Sequence, residues 1–267
     1  MSTHIIFSEE SFKYAFNYYH LFSDCLRPLY NYMGKHNYQE NEITLYFRFN
    51  LHDFAKKKLQ ELEFNINPIS MLPENAVEIS TYNYGIWKYL IQKFSLYTKP
   101  LINKEKIIFI KRNKYRILIN HSELLEALEQ NFKNKYIIEQ VIFDDKTLTE
   151  QIDMMQNCKI LIGPHGAGFT NMLFLNENTH LIEFFPESFY TDCFKLIATQ
   201  KNINYYYIHG KDITTPLISL EEFNKLVKEG KMWHPKKPTN PYVTQLRDIK
   251  GFSINIDEVV NLIKPIA

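Results

Sequence analysis

Glycine is scarce in this chain, at 8 of 267 residues, under half of the roughly 7% that is average. Cysteine is thinner still. Cys25, Cys158 and Cys193 are odd in number and far apart, so they build neither a disulfide framework nor a Cys-x-x-Cys metal knuckle. The expected compartment is a reducing one. Excess charge is also missing: the formal net charge is +1, which excludes a global polyanion-binding surface and, with it, nucleic acid as the expected partner. No apolar run approaches the roughly 18 residues of a membrane-spanning helix. The opening residues Met1 to Phe7 lack the basic-then-apolar layout of a secretion signal. The expectation is a soluble, cytoplasmic protein with no transmembrane segment. No Asp-x-Asp metal motif occurs, and Asp144-Asp145 lacks the spacer. Arginine is rare too, supplying 5 of the 31 cations.

What is present is ordinary in bulk, with 45% hydrophobic and 23% charged residues, and enough length for a substantial core. The rare residues are clustered. Gly163, Gly166 and Gly168 stand together, and Arg112 and Arg116 sit four apart. From about residue 100, apolar runs alternate with helical patterns. Strands are expected at 106–110, 136–143, 159–162, 181–185 and 205–208. Helices are expected at 122–132 with Ser122 as N-cap, at 147–157 with Leu148, Ile152 and Met155 on one face, at 167–175 and at 192–201. That alternation predicts a parallel sheet with right-handed crossovers. The first 95 residues read similarly, with strands at 4–7 and 43–49 and helices at 11–32, 52–62 and 81–97. Residues 230–250 read as an irregular, proline-punctuated excursion, and 256–263 as a closing helix. The fold class is therefore α/β, in two units with a boundary near 95–105. A ligand belongs between them, beyond the carboxyl ends of the strands.

Gly163-Pro164-His165-Gly166-Ala167-Gly168-Phe169-Thr170-Asn171 follows a strand and opens a helix pattern. Small residues there allow close backbone approach, and unpartnered first-turn N–H groups favour an anion. The alternative is a tight turn whose glycines serve packing. Gly163-x-His165-Gly166-Ala167-Gly168-x-Thr170-Asn171-x-x-Phe174, followed by Ile182-Glu183 and Pro186, resembles the motif of glycosyltransferase family 61, which includes plant xylosyltransferases, extracellular O-linked N-acetylglucosamine transferases and capsule-type enzymes. Lys111-Arg112-x-x-x-Arg116-Ile117-Leu118-x-Asn120 is similar to that family's arginine segment, although His121 stands where an acidic residue is usual. Asn17-Tyr18-Tyr19-His20-x-x-x-Asp24 is similar to its N-terminal histidine–aspartate motif.

The resemblance implies a GT-B-like pair of Rossmann-like domains, here 1–98 on the acceptor side and 99–250 binding the nucleotide sugar, closed by 251–267. It also implies inversion at the anomeric carbon, no metal and no cofactor. The nucleotide-diphosphate sugar, with a UDP-sugar the expected donor, is itself a substrate. A glycan or glycoprotein supplies the acceptor hydroxyl. Donor binding is expected at Arg112, Arg116, Asn120, His165, Gly166, Ala167, Gly168, Thr170, Asn171 and Glu183. Arginine suits a diphosphate because two N–H donors match two oxygens. Glu183 would hold ribose hydroxyls or cap a loop.

Asn17, His20, Asp24 and Arg27 recur at helical spacing on one face of an otherwise aromatic and apolar segment. Such a stripe is either a solvated face or the lining of a cleft. In the second case His20 or Asp24 is the general base, with His20 favoured slightly because an imidazole accepts a proton near neutrality. Two rival classes remain. One is a non-catalytic module that binds sugar nucleotides or glycans. The other is a dinucleotide enzyme, for which Gly163-x-x-Gly166-x-Gly168 has the wrong order.

Overall fold

Ile43-Thr-Leu-Tyr-Phe47 and Ile107-Ile-Phe-Ile110 are apolar on both faces, as strands covered on two sides must be. In the computed structural model, which describes residues 3–7, 17–47, 49–79, 87–98, 105–187, 189–212 and 251–266, both runs are central strands of parallel sheets. The first sheet has the order β3-β2-β1-β4, from Thr3–Phe7 (β1), Ile43–Phe47 (β2), Asn65–Asn67 (β3) and Val77–Ile79 (β4). The expected helices of this half shorten in the structure to Asp53–Glu61 and Lys88–Ser95. The earlier part of the 81–97 expectation lies outside the described residues.

The expected helix over 11–32 is described from Asn17 onward and is not regular. An α-helical turn (Tyr18–His20) runs into a π-helical segment (Leu21–Leu26) and then an α-helix (Arg27–His36). Pro28 supplies a physical reason. It has no N–H to donate four residues back, and its ring would meet the carbonyl there. The ladder widens just before it, so that the Arg27 N–H donates to the Phe22 carbonyl, five residues back.

The second sheet has five strands, all parallel: Lys106–Ile110 (β5), Ile137–Val141 (β7), Cys158–Pro164 (β8), His180–Phe185 (β9) and Asn204–His209 (β10). Their spatial order is β10-β9-β8-β5-β7. Numbered along the chain within this sheet, that is the doubly wound order 2-1-3-4-5, whose reversal falls between β5 and β8. The fold is Rossmann-like. A third, small sheet joins Ile117–Leu118 (β6), Lys211–Asp212 (β11) and Gly251–Ser253 (β12) in the order β11-β12-β6. The proline-punctuated segment 230–250 lies outside the described residues.

Helix positions follow capping. Thr147 and Glu150 form a capping box at the start of Leu148–Met155, and Leu148, Ile152 and Met155 are all buried. The helix expected from Ser122 begins instead at His121 and runs to Phe132, with Asn120 at the N-cap. Asn120 does not cap with its side chain. Its Nδ2 donates to the Ile254 carbonyl (2.8 Å), and its Oδ1 accepts from the Ile254 N–H (3.2 Å). This two-pronged bond holds the closing helix, Ile256–Ile263, against the outer face of the second sheet. Asn120→Ala should lower stability by about 1–3 kcal/mol, the cost of leaving such partners unpaired, as read from the urea midpoint at constant m-value.

Of the two hydrophobic cores, one joins the two sheets and the other lies under the closing helix on the far face of the second sheet. Phe22, Phe94 and Phe174 meet with ring centroids 5.2 to 6.5 Å apart, joining helices of the first half to the turn after β8. Polar bonds accompany them. Lys58 Nζ donates to the Lys146 carbonyl (2.8 Å) and to Glu61 (3.1 Å), and Glu61 in turn accepts from the Leu148 N–H (2.6 Å).

Candidate active site

The strand-order reversal between β5 and β8 opens at their carboxyl ends, and the rare residues of the sequence lie there. Arg112 and Arg116 follow β5. His165 follows β8, its N–H donating to the Phe184 carbonyl (2.8 Å). Arg116 is only 8% exposed and adopts a left-handed φ of 56°, uncommon for a residue with a Cβ. From there its Nε donates to the His165 carbonyl (2.9 Å), tying the two turns together.

The glycines serve close packing. A Cβ on Gly166 would collide with the Arg112 guanidinium, and one on Gly168 would press on Phe143 and Ile110. Gly163 meets the Ile110 carbonyl in the same way. The segment after the turn, Ala167–Phe174, is a 3-10 helix and not the expected α-helix. The charge available to an anion here therefore comes mainly from the arginines. Within that segment Thr170 and Asn171 are fully buried. Asn171 Nδ2 donates to Gln151 (2.9 Å) and to the Gly168 carbonyl (3.1 Å), which fixes the shape of the turn.

Glu183, in the middle of β9, is completely buried. One carboxylate oxygen lies 2.5 Å from Nδ1 of His165, and the other accepts from the Tyr205 hydroxyl (2.7 Å). Burial pushes its carboxyl up to about 8, while the Tyr205 hydrogen bond and the Arg116 guanidinium pull the other way. Phe185 stacks on the His165 ring at 5.2 Å, and Phe189 and Phe194 close its sides.

The polar stripe arrives from the other sheet. Asn17 begins the helix, its Oδ1 accepting from the Tyr19 N–H (3.0 Å). One turn on, Nδ1 of His20 lies 2.8 Å from Asp24, whose second oxygen accepts from Ser23 (2.5 Å). The His20 and Asp24 side chains keep 40% and 30% of their exposure, so the pair lines a solvent-reachable edge. Tyr18, next to this pair, donates from its hydroxyl to Asn171 (3.1 Å). The Tyr19 ring packs on Phe194 at 5.2 Å, and Phe194 in turn lies 5.4 Å from the His165 ring. The guanidinium of Arg27, the last member of the stripe, lies over the Trp87 ring at 5.2 Å. The helix beginning at Tyr18 and the segment following β8 are thus in direct contact, and the latter lies at the carboxyl edge of the second sheet. Among the described residues, no group of three or more His, Cys, Asp and Glu side chains gathers as a metal site would.

The chain matches the profile of Glycosyltransferase 61 over residues 18–182, a span that holds all three motifs nearly whole. The protein belongs to glycosyltransferase family 61. It is similar to the EGF domain-specific O-linked N-acetylglucosamine transferase of Drosophila melanogaster, with 31% identity over 139 residues, covering 50% of this chain and 26% of that protein. It is also similar to the protein O-linked-mannose beta-1,4-N-acetylglucosaminyltransferase 2 of Mus musculus, at 25% over 140 residues (51% and 22%), and of Homo sapiens, at 24% over 155 residues (57% and 24%). The chain spans about a quarter of the length of these relatives. No helix among the described residues is long and apolar enough to cross a membrane.

In this family 61 chain several site neighbours escaped sequence reasoning. Gln151 reads as one more polar residue of an amphipathic helix, yet it is 2% exposed and holds Asn171. Tyr205 carries no motif. The only hint lay in its place on an expected strand, which the structure pairs with that of Glu183. Ser23 lay within the stripe segment but off its spacing.

Proposed function

We propose that the protein is an inverting, metal-independent glycosyltransferase that moves a sugar from a UDP-sugar to a hydroxyl of a glycan or glycoprotein. The observation that supports this reading is the contact between the segment carrying the half-exposed His20–Asp24 pair and the segment after β8, through the Tyr18–Asn171 hydrogen bond and the Tyr19–Phe194–His165 ring contacts. We assign residues 1–98 to an acceptor-side domain and 99–250 to a donor-side domain in a GT-B-like arrangement. His20, oriented by Asp24, takes the proton of the acceptor hydroxyl as its oxygen attacks the anomeric carbon in line. Negative charge grows on the departing diphosphate, where the Arg112 and Arg116 guanidinium groups, His165 and the N–H groups around Gly166, Ala167 and Gly168 meet it. Fixed donors in that position do the work a divalent cation does elsewhere. Asn171 acts by holding the turn after β8 in shape, and Glu183 by engaging His165.

Both relatives named above are N-acetylglucosaminyltransferases by name, so UDP-N-acetylglucosamine is the first donor to test. Release of UDP from a panel of UDP-sugars should identify one that is hydrolysed or transferred well above the rest. Turnover should persist in excess EDTA. Loss on chelation, with recovery on adding manganese or magnesium, would remove the electrostatic account. A protein that binds UDP but turns over no donor with any acceptor would instead be a binding module.

A further inference from the structure

A fully buried carboxylate is costly unless a counter-charge meets it, and Glu183 is buried completely between β8 and β10. Its two oxygens are engaged by Nδ1 of His165 at 2.5 Å and the Tyr205 hydroxyl at 2.7 Å. Among the described residues, the charged and titratable groups facing it are His165 at the end of β8, Tyr205 on β10, Arg116 after β5, Cys193 at the start of the helix Cys193–Gln200, and Tyr190 in the turn before it. Of the described ring neighbours of His165, Phe185, Phe189 and Phe194 are apolar and disfavour a lone imidazolium, as burial disfavours a lone carboxylate.

These two penalties cancel only when ring and carboxylate are charged together. The pair then holds two protons, one between Nδ1 and Glu183 and one on Nε2, with no net charge. Losing either proton leaves the pair with a net negative charge in a buried site, offset in part by the Arg116 guanidinium. The same two protons could be arranged as a neutral ring beside a carboxylic acid. Tyr205 opposes that arrangement, because its hydroxyl donates to the carboxylate and favours the ionised form. Arg116 acts in the same direction through its charge.

We propose that Glu183, held by Tyr205, is a positioning residue that keeps His165 doubly protonated at neutral pH. Its use in holding the donor diphosphate rests on the reading given under Proposed function. There it makes His165 a third fixed cation beside Arg112 and Arg116, one that persists only while the pair keeps its second proton. Donor affinity then falls as pH rises through the titration of the pair, which belongs to the pair and not to either residue alone.

The test reads the ring directly. In the full chain labelled with 15N-histidine, the His165 signals are assigned by their loss in His165→Ala and followed with pH, and UDP affinity is measured calorimetrically on the same samples. The wild-type ring should be doubly protonated at about pH 7.5, whereas the Glu183→Gln ring should be neutral there and gain its proton only at or below about pH 6.5, the ordinary imidazole value. Tyr205→Phe should lose the ring proton at lower pH than wild type. UDP affinity should drop about tenfold in Glu183→Gln at about pH 7.5 and recover at about pH 5.5, the scale of one charge-assisted hydrogen bond. A purely structural role for Glu183 would lower affinity equally at both pH values.

A wild-type ring that is neutral at about pH 7.5, or a Glu183→Gln ring that titrates with the wild type, overturns the proposal. Should Glu183→Gln not fold, an unchanged ring titration in Tyr205→Phe overturns it alone. If the rings titrate as expected but UDP affinity ignores even His165→Ala, the proton device stands and the assignment of this turn to the donor fails.

Discussion

His20→Ala should lower turnover about 10²–10⁴-fold, the usual worth of a positioned general base, and leave UDP affinity within about twofold of wild type. The separation follows from geometry. His20 sits on the helix after β1, while the cationic turn follows β5 and β8, so removing the imidazole takes nothing from the diphosphate. The structure also sharpens the choice between His20 and Asp24. Both Asp24 oxygens are engaged, one by His20 at 2.8 Å and the other by Ser23 at 2.5 Å. A carboxylate held at both ends orients the ring and is poorly placed to collect a proton itself. Asp24→Asn should therefore lose less than His20→Ala. With Ser23 donating to the amide oxygen, the amide nitrogen would face Nδ1 of His20 and shift the ring to the other tautomer, as happens when an orienting carboxylate is neutralised in a catalytic triad. Ser23→Ala, which frees one oxygen, should cost least of the three. Kinetics on an identified acceptor rank them. If His20→Ala and Asp24→Asn both turn over at wild-type rates, the stripe is a structural face and the base lies elsewhere.

The ranking rests on contacts of two kinds, and they were not equally legible in the sequence. The second sheet could be read because parallel strands covered on both faces show as bare apolar runs. Ile107 to Ile110 and Ile160 to Ile162 are such runs, bounded by Lys or Gly, and Leu181 to Phe185 is one broken only by Glu183 and stopped by Pro186. His20–Asp24 was legible because one helical turn separates the two. Glu183 was legible as a residue but not in its bonding. His165 is 18 positions away, and only the register of β8 beside β9, with Gly163 opposite Glu183, brings them together. The bond from Tyr18 to Asn171 crosses 153 positions, and no local pattern announces it. Short strands such as β6 and β11, two residues each, fall below the length at which alternation can be seen. The segment after Gly166 carried a helical pattern but winds as a 3-10 helix, and Thr170 and Asn171 are buried within it. Tertiary packing outweighed propensity there. The π-helical segment was not read within the helix expected over 11–32, although Pro28, with no N–H to donate, stands just after it.

Arg116→Ala should weaken UDP binding by about 1.5–3 kcal/mol, the range of a charged hydrogen bond, or roughly 10- to 150-fold in affinity, with the chemical step less affected than in His20→Ala. Two losses combine. The guanidinium charge beside the diphosphate goes, and so does the bond from Nε to the His165 carbonyl at 2.9 Å, which sets where His165 stands. Arg116→Lys separates them. A lysine restores the charge but not the planar fork, so it should recover only part of the affinity. The backbone offers a second control. Arg116 holds a left-handed φ of 56°, a conformation that costs a non-glycine residue about 1 kcal/mol or more and glycine almost nothing. Arg116→Gly should therefore keep more stability than Arg116→Ala and bind UDP as poorly. If weak binding tracks stability across the three variants, the arginine merely braces the turn. If Ala and Gly bind equally poorly while their unfolding midpoints differ, the side chain itself holds the diphosphate. A folded Arg116→Ala protein with unchanged calorimetric affinity for UDP would remove the donor from this turn altogether. The strained backbone at 116 would then need another explanation, because strain of that kind persists only where the surrounding structure holds it in place.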